Sequence, residues 1–444
     1  MDKTQYPGSL HNHTEYSNFR LRDSINRAPE LMSYAEELGH TVIAFTEHET
    51  ISNWVEIEKE AKKHPNLKVL RGNEIYLVRN GLNADNFVKD VDKYYHFILI
   101  AKDLVGARQI MELSTRAWLR SYVSRGRMRR VPTYYQDLID IVGANPGHVI
   151  GSTACLGGAL GTQILRGTDD KKLISWLMQL RNIFGEENFY MEMQPSKNKD
   201  QIKVNRKIIE FSQQTGIKFI ITTDSHYLKA SDRSIHKAYL NAQDGEREVD
   251  EFYATTYMMD TEELEPYMKY TADDLNLWQR AYYTIQEIAD KCEDFSLIKP
   301  LKIPELIWRP VIKDSSRNTQ LFVDKIPTLQ KFVDSPYQSD RYLVDAIIDG
   351  IKNHSDLQNE EVYAELEDNL QRTWESSEVS KARWSAYFLN LQNIIDECWN
   401  AGTLVGPSRG SGGGFLLLYC LDIIQMNTLR ETTKTFPWRL TLRV

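Results

Sequence analysis

The sequence predicts an α/β fold, with a parallel sheet or barrel first and a mainly helical region after it. Between Ser9 and Thr223, strand-like and helix-like stretches alternate at the length typical of strand–helix units. From about Glu246, strand signals become rare and acidic or aromatic helical stretches dominate. In addition, side chains able to bind metal stand where predicted strands end, which is where parallel barrels collect their functional residues.

The composition sets further limits. A chain of 444 residues has room for two or three domains, and 41% apolar with 26% charged residues is typical of a globular protein. No apolar run reaches the roughly 18 residues of a membrane span, and the N-terminus lacks the apolar core of a signal peptide. Four distant cysteines without a Cys-x-x-Cys pair favour a reducing compartment. Because the net charge is −8, nucleic-acid binding would need a local basic patch.

The elements of the first region follow from apolar patterning. Thr41–Thr46 is β-branched and apolar, as expected of a strand buried on both faces. A helix is predicted over Ala28–Leu38, because Pro29 stands near its start and Gly39 just past its end. Similar reasoning predicts strands at Ser9–His11, Lys68–Arg71, Tyr95–Ala101, His148–Gly151, Phe189–Met193 and Lys218–Thr223, and helices at Asn53–Lys63, Leu104–Leu119, Lys171–Phe184 and Asp200–Thr215.

The second region is predicted to be helical. Three prolines within Pro300–Pro310 predict an extended connection. Near the end of the chain, a Gly-rich loop (Gly402–Gly414) precedes the apolar stretch Phe415–Ile424. The predicted helices are Thr261–Lys269, Asp273–Cys292, Leu343–His354, Glu360–Trp374 and Ala386–Ala401.

Histidines and acids recur at the predicted strand ends. On an extended strand His11 and His13 point to the same face, because side chains alternate with period two. Alone, such a pair is weak evidence, since neighbouring histidines are more often surface or core residues than ligands. Further ligand types follow at His48, Glu74, His96, Cys155, Asp224 and His226. Imidazole, carboxylate and thiolate together favour zinc, manganese or iron over calcium, and their recurrence at separate strand ends favours a metal site.

These residues resemble the motifs of a known family. His11-Asn12-His13, Thr46-Glu47-His48, Gly72-Asn73-Glu74, His96 and Asp224-Ser225-His226 are similar to the successive motifs of the polymerase-and-histidinol-phosphatase (PHP) domain. Ser152–Gly158 and Thr223–Tyr227 resemble the version at the N-terminus of bacterial replicative DNA polymerase III alpha subunits (family C). Gly406–Ser411 resembles the Gly-Arg-Gly-Ser motif of their palm domain, so the resemblance covers essentially the whole chain.

The resemblance implies a domain organisation and a ligand set. It implies a distorted seven-stranded (βα)7 PHP barrel at 1–245, a connecting segment at 246–310 and the N-terminal part of a mainly helical α+β palm at 311–444. Up to three Zn2+ or Mn2+ ions would be held by nine ligands: His11, His13, Asp23, His48, Glu74, His96, Cys155, Asp224 and His226. Glu47 stands where the family usually has Asp, and we expect it to orient an imidazole.

The implied reaction is phosphodiester hydrolysis by a metal-dependent 3′–5′ exonuclease, with His11, His13, His48, Asp224 and His226 as its catalytic residues. Two alternatives remain open at this point. The first is a free-standing PHP phosphoesterase acting on a small phosphate ester. The second is a non-catalytic barrel that braces the polymerase or docks a partner chain.

Two further stretches are candidate binding sites. The segment Arg116–Arg130 holds six arginines with Trp118 and Tyr122 among them, a pattern that suits phosphates and unpaired bases. Its alternative role is a solvated helix end that contacts an acidic protein surface. In the Gly-rich loop, glycines and an arginine could approach the triphosphate of a nucleotide. The predicted DNA-binding residues are Arg125, Arg127, Arg129 and Arg130, and the predicted nucleotide-binding residues are Arg409, Gly410 and Ser411.

Polymerase chemistry also needs paired carboxylates that hold Mg2+. After Ser411 the acids are Asp422 and Glu431, so the family's Asp-x-Asp pair is missing. We therefore expect a split, interrupted or truncated gene, such as one from a bacteriophage. We expect its product to bind Mg2+ and dNTP only if other sequence completes the palm. The expected partners are DNA, the missing C-terminal polymerase portion and other replisome subunits. The expected location is the cytoplasm of a bacterium or a phage host, without a membrane.

Overall fold

The computed structural model describes residues 5–78, 93–124, 129–242, 252–305, 316–408 and 411–429. The chain divides into two compact units, Met1–Ile298 and Lys299–Val444, and each has a hydrophobic core of its own. The predicted connecting segment is therefore divided, because residues 252–298 belong to the first unit. The functional limits of the predicted domains stay predictions. Within the described residues, no helix is long and apolar enough to cross a membrane.

A mixed sheet of seven strands forms the centre of the first unit. The strands of the first unit are β1 Val42–Phe45, β2 Lys68–Val78, β3 Tyr94–Ala101, β4 Tyr122–Val123, β5 Arg129–Arg130, β6 Thr133–Tyr134, β7 Val149–Ser152, β8 Phe189–Met193 and β9 Phe219–Ile221. Their order in the sheet is β1-β2-β3-β7-β8-β9, with β6 beside β2, and a separate ribbon pairs β4 with β5. The pairs β1–β2, β7–β8 and β8–β9 are parallel, as predicted. The prediction is wrong for β3, which is antiparallel to both β2 and β7.

The N-terminal segment, residues 7–13, joins the first strand of this sheet to the last. On one side Ala44 N in β1 donates to Ser9 O at 3.2 Å. On the other side His13 N donates to Ser225 O at 2.9 Å, just beyond β9. The segment thus closes the curled sheet into a distorted barrel. The predicted strand Ser9–His11 is wrong as a regular strand, because within this segment only Asn12 forms a single bridge, with Ser225.

Gly8 makes this closure possible. Its φ is +132°, and a Cβ at this position would lie 1.9 Å from Val42 O of β1. A side chain would therefore push the segment away from the strand on which it lies.

Helices surround the sheet of the first unit. These helices are α1 Ala28–Glu37, α2 Trp54–Ala61, α3 Leu104–Leu119, α4 Tyr135–Asp137, α5 Ala159–Leu165, α6 Asp170–Phe184, α7 Lys199–Thr215, α8 Arg233–Asn241, α9 Thr261–Met268 and α10 Leu275–Lys291. Side-chain caps begin several of them: Asp103 accepts from Gly106 N before α3, and Asn198 accepts from Gln201 N before α7. The helix α10 buries Trp278 in the same core as the sheet, which explains why the first unit continues past residue 252.

The described residues of the second unit form helices and no strand. The helices are α11 Ser316–Val323, α12 Leu329–Val333, α13 Gln338–Asn353, α14 Glu360–Ser380, α15 Trp384–Asn400 and α16 Leu416–Cys420. Helices α13 to α16 supply most of its core, which includes Leu343, Leu366, Phe388 and Leu416. Gly350 of α13 is close to the backbone of α16, since a Cβ there would lie 1.9 Å from Cys420 O.

Candidate metal centre

All nine side chains that the sequence suggests as ligands lie at one end of the barrel. Parallel strands place His48 after β1, Cys155 after β7 and Asp224 after β9 at this end. Eight of the nine residues are buried, and His96 differs in having 21% of its side chain exposed. The arrangement divides into three groups of ligand atoms.

The first group contains His11, His13, Glu74 and Asp224. Four of their atoms converge: His11 Nε2 lies 3.1 Å from His13 Nε2, 2.8 Å from Glu74 Oε2 and 3.1 Å from Asp224 Oδ1. His13 Nε2 lies 3.4 Å from Glu74 Oε2 and 3.1 Å from Asp224 Oδ1. Around a tetrahedral zinc with bonds of about 2.0–2.1 Å, ligand atoms stand about 3.3 Å apart. These separations therefore suit a single small divalent ion.

The second group contains Asp23, His48 and His226. Asp23 Oδ2 lies 3.3 Å from His48 Nε2 and 3.6 Å from His226 Nε2. The ring of His13 lies between the two groups, with its centroid 4.0 Å from that of His48 and 4.5 Å from that of His226. Asp23 Oδ1 is buried and has no hydrogen-bond partner among the described residues, which leaves it available to a cation.

The third group contains Glu74, His96 and Cys155. Glu74 Oε1 lies 2.9 Å from His96 Nδ1 and 3.0 Å from His48 Nδ1, and Cys155 Sγ lies 3.5 Å from His96 Nδ1. Glu74 therefore contributes to two groups, because its Oε2 atom lies in the first group and its Oε1 atom lies in the third.

The local backbone explains these positions. Glu74 was expected just after a short strand, but β2 continues to Val78, so the carboxylate projects from the middle of a strand. Its neighbour across β2–β3 is Ile98, and Tyr76 faces His96 in the same ladder. Cys155 lies in the turn after β7. That turn needs Gly158, because a Cβ there would lie 2.2 Å from Thr153 O.

Burial and neighbouring charges together determine the pKa values in the cluster, and for Asp23 and His48 the opposite charges outweigh burial. Burial alone would raise the pKa of Asp23, but His48 and His226 hold it well below its usual value. Burial would lower the pKa of His48, but Asp23 and Glu74 raise it to about 9. Burial raises the pKa of the Cys155 thiol well above its ordinary value, and the nearby carboxylates raise it further. The thiol therefore stays protonated unless a cation compensates a thiolate.

The donor set fits the expected ions. Imidazole, carboxylate and thiol groups together suit Zn2+, and the first two also suit Mn2+. Two sets of buried donors each bring their ligand atoms within 4.8 Å of one another. One set is His13, His48 and His226, and the other is His11, His13, Glu74 and Asp224. Such ions could activate water and neutralise charge on a phosphate ester.

Several neighbours of the cluster were not predicted from the sequence. Glu192 contacts His11, and Tyr76 Oη lies 3.2 Å from His48 Nδ1. The guanidinium of Arg20 lies 3.8 Å from the centre of the Tyr76 ring. A signal for Glu192 was present, because it is the one charged residue of an otherwise apolar, fully buried strand.

Glu47 has a different set of contacts from the one expected. Its carboxylate accepts hydrogen bonds from Thr14, Asn53 and Ser17 rather than from an imidazole. It reaches the cluster through Ser17, whose Oγ lies 3.0 Å from His13 Nδ1.

Only part of the predicted DNA-binding set lies within the described residues, since Arg125 and Arg127 fall outside them. Arg129 is exposed and donates to Ser121 Oγ at 3.3 Å, while Arg130 lies 5.0 Å from the centre of the Tyr94 ring. In the same segment, Arg116 and Arg120 pair with Asp137 and are thus partly neutralised.

The predicted nucleotide-binding residues lie mostly outside the described part of the chain. Arg409 and Gly410 are not described, and Ser411 begins a short 3-10 helix, Ser411–Gly414. Asp422, one of the acids after Ser411, pairs with His354 Nε2 at 2.7 Å.

Comparisons with known proteins match two family models to separate parts of the chain. The family model described as "PHP domain" matches residues 9–196, and the one described as "Bacterial DNA polymerase III alpha NTPase domain" matches residues 341–437. The chain is 32% identical over 459 residues to "Probable DNA polymerase YorL" of Bacillus subtilis (strain 168) and to "DNA-directed DNA polymerase" of Bacillus phage SPbeta. It is 26% identical over 434 residues to "DNA polymerase III subunit alpha" of Aquifex aeolicus.

These alignments cover 95% of this chain and 34% of each relative, so the chain spans about a third of the length of these relatives. The two family models match in the order that the sequence motifs predict, first the PHP domain and then the polymerase domain. The chain therefore has a PHP domain followed by a DNA polymerase III alpha NTPase domain, and over 95% of its length it is similar to proteins named as DNA polymerases.

Proposed function

We propose that the first unit is a metal-dependent phosphodiesterase that removes nucleotides from the 3′ end of DNA. The observation that carries this proposal is the convergence of nine ligand-type side chains on one buried cluster, in which Glu74 serves two groups. The names of the relatives, all DNA polymerases, support DNA as the substrate.

In this proposal up to three Zn2+ or Mn2+ ions occupy the three groups. The bound ions supply water activation near neutral pH and stabilise charge on the phosphoester oxygens. The protein's own contribution is to orient the ligands and to exclude water, since only His96 among the ligands is appreciably exposed. We infer that the substrate enters from the side of His96.

The four predicted DNA-binding arginines form a proposed basic patch, and Arg130 of this patch lies next to that side. Tyr94 and His96 are two residues apart on β3 and thus share a face, and Arg130 stacks over Tyr94. We propose that Arg129 and Arg130, with Arg125 and Arg127, bind the phosphates of the strand whose 3′ end enters the site.

The test of activity uses the purified full chain loaded with Mn2+ or Zn2+ and a 5′-labelled single-stranded DNA. We expect shortening from the 3′ end, and a loss of at least about 100-fold in the variants His11→Ala and Asp224→Ala, which each remove a direct ligand. His148→Gln is the matched control, because this half-buried histidine pairs with Asp103 outside the cluster.

Each other outcome favours one of the alternatives. Faster hydrolysis of p-nitrophenyl phosphate than of DNA would favour a small phosphate ester as substrate. Metal-loaded protein without activity on either substrate would favour a non-catalytic scaffold. Equal activity in wild type and in both ligand variants would exclude this cluster as the active site.

The test of the basic patch is the salt dependence of DNA binding. We expect Arg129→Ala and Arg130→Ala each to reduce the slope of log K against log salt by about 1, because each removes one phosphate contact. Arg116→Ala is the control, since Arg116 is already paired with Glu112 and Asp137. Unchanged slopes for both test variants would contradict the proposed contact.

For the second unit we propose nucleotide binding by Arg409, Gly410 and Ser411, with Mg2+ held by carboxylates supplied from additional sequence. Other replisome subunits are proposed partners by the same family relationship. A fluorescent dNTP should bind the full chain more weakly after Arg409→Ala, and equal binding would contradict the assignment.

A further inference from the structure

Two buried carboxylates that are not among the nine ligands lie behind the histidines of the first group. Glu192 is the fourth residue of the five-residue strand β8, and Glu47 follows β1. We infer that Glu192 and Glu47 are positioning residues that fix the ring tautomers of His11 and His13, so that both Nε2 atoms turn a lone pair toward the same ion. This inference rests on the proposed metal function.

Glu192 acts on His11 directly. His11 Nδ1 lies 2.7 Å from Glu192 Oε1, and both side chains are fully buried. The carboxylate is held in place by Thr222 Oγ1, which donates to Oε1 at 2.6 Å, and by Ser152 Oγ, which donates to Oε2 at 2.7 Å. The carboxylate of Glu192 accepts from both hydroxyls and from His11, so when a cation takes the place of a proton at Nε2 the neutral ring keeps its hydrogen on Nδ1 and turns the Nε2 lone pair toward the ion.

Glu47 acts on His13 through Ser17. Ser17 Oγ donates to Glu47 Oε2 at 2.5 Å, and a hydroxyl has one hydrogen to give. Ser17 Oγ is therefore an acceptor for its other two neighbours, His48 N at 3.1 Å and His13 Nδ1 at 3.0 Å. The hydrogen of the His13 ring consequently lies on Nδ1, and Nε2 again keeps its lone pair.

The two tautomers together produce a site that contains only acceptors. The two Nε2 atoms face each other at 3.1 Å, and the carboxylate oxygens of Glu74 and Asp224 complete the group. With both tautomers fixed in this way, the neutral rings offer no donor to this point, and a positive charge is what satisfies all four atoms.

The test compares matched variants of the full chain by their affinity for Zn2+, measured against a competing chelator. Glu192→Leu removes the acceptor for His11 at similar volume, whereas Glu192→Gln keeps an oxygen that can accept from Nδ1–H. For the second pair, Ser17→Ala is compared with Thr14→Val, because both remove a hydroxyl that donates to Glu47 but only Ser17 contacts a histidine.

We expect Glu192→Leu and Ser17→Ala each to weaken the first site about 10- to 100-fold, while Glu192→Gln and Thr14→Val stay within a few-fold of wild type. Co2+ provides an internal control for folding, since the Cys155 thiolate-to-cobalt absorption should persist in every variant.

Other results overturn the inference. Equal weakening by Glu192→Gln and Glu192→Leu would mean that charge rather than tautomer matters, and wild-type affinity in Glu192→Leu would mean that the contact has no effect. If Glu192→Leu loses the thiolate absorption because it does not fold, the Ser17→Ala and Thr14→Val pair decides. Failure of the wild type to bind Zn2+ or Co2+ would instead refute the proposed metal function itself.

Discussion

His40 and His11 are both buried, and their surroundings give them opposite properties. Carboxylates face His11, so Asp224 and Glu192 overcome the effect of burial and raise its pKa well above the ordinary value. His40 packs against the ring of Tyr6 and donates from Nε2 to Met259 O, and its Nδ1 has no partner among the described residues. Burial therefore lowers the pKa of His40 to about 4, against the opposing effects of the hydrogen bond to Met259 and of the charge of Asp260.

This lowered pKa predicts a pH dependence of stability. Between about pH 6.5 and 4 the unfolded chain binds a proton at His40 that the folded protein does not, so the free energy of unfolding falls as the pH falls. The slope from this residue is about 1.4 kcal/mol per pH unit. The measurement is urea unfolding in EDTA of wild type and His40→Gln across this range. The difference between the two proteins should change with pH, and a constant difference would contradict the assignment.

At the residue scale, the sequence predicted the side chains that carry a motif and missed those that support it. Eight of the nine candidate ligands could be named because metal-binding residue types recur at the predicted strand ends, whereas Asp23 followed only from the resemblance to the PHP domain. Glu192 was missed because a lone acid within an apolar strand indicates a buried charge but has no spacing that identifies its partner. The connection of Glu47 to His13 through Ser17 depends on a hydroxyl whose direction only the fold defines.

At the scale of elements, the close approach of Gly8 to β1 predicts that a side chain at this position would disturb the closure of the barrel. In Gly8→Ala the new Cβ meets Val42 O, so we expect the N-terminal segment to shift and the unfolding free energy to fall by about 2 kcal/mol or more. Zn2+ binding at the His11–His13 site should weaken at least about 10-fold, as measured by chelator competition. Gly147→Ala is the control, because Gly147 also has a positive φ of +95° but an open surrounding. Similar metal affinity in both variants would contradict the prediction.

The close approach of Gly350 to Cys420 O predicts how a side chain would affect the stability of the second unit. Its missing side chain lets α13 approach the end of α16, so Gly350→Ala should destabilise this unit by about 1–3 kcal/mol or more. Gly406→Ala should be nearly neutral, because a Cβ at Gly406 has no atom within 4 Å. Thermal unfolding of both variants tests this, and equal midpoints would count against the packing described.

Element type was easier to predict than strand direction or length. The strand β1 was recognisable from its β-branched apolar run, and the helix α1 from Pro29 near its start and Gly39 past its end. The apolar run after Glu74 extends β2 well beyond its predicted end. The reversed direction of β3 has no signature in a local pattern, because an apolar strand looks the same in either direction.

For the whole molecule, two separate cores predict two responses to metal. The proposed ligands all lie in the first unit, so Zn2+ should raise the unfolding temperature of one transition by binding the native state and leave the other unchanged. Differential scanning calorimetry with Zn2+ and with EDTA measures this. The transition that Zn2+ leaves unchanged should be the one that Gly350→Ala lowers. A single transition that moves as a whole would contradict independent cores.

The closure of the barrel by its first residues also sets an order of events during synthesis. Ser9 Oγ accepts from Thr223 N, a contact between residues 214 positions apart. A ribosome adding about 5–20 residues per second needs roughly ten to forty seconds to cover that distance. During this time His11 and His13 have been synthesised but Asp224 and His226 have not, so the cluster can assemble only after most of the first unit has been translated.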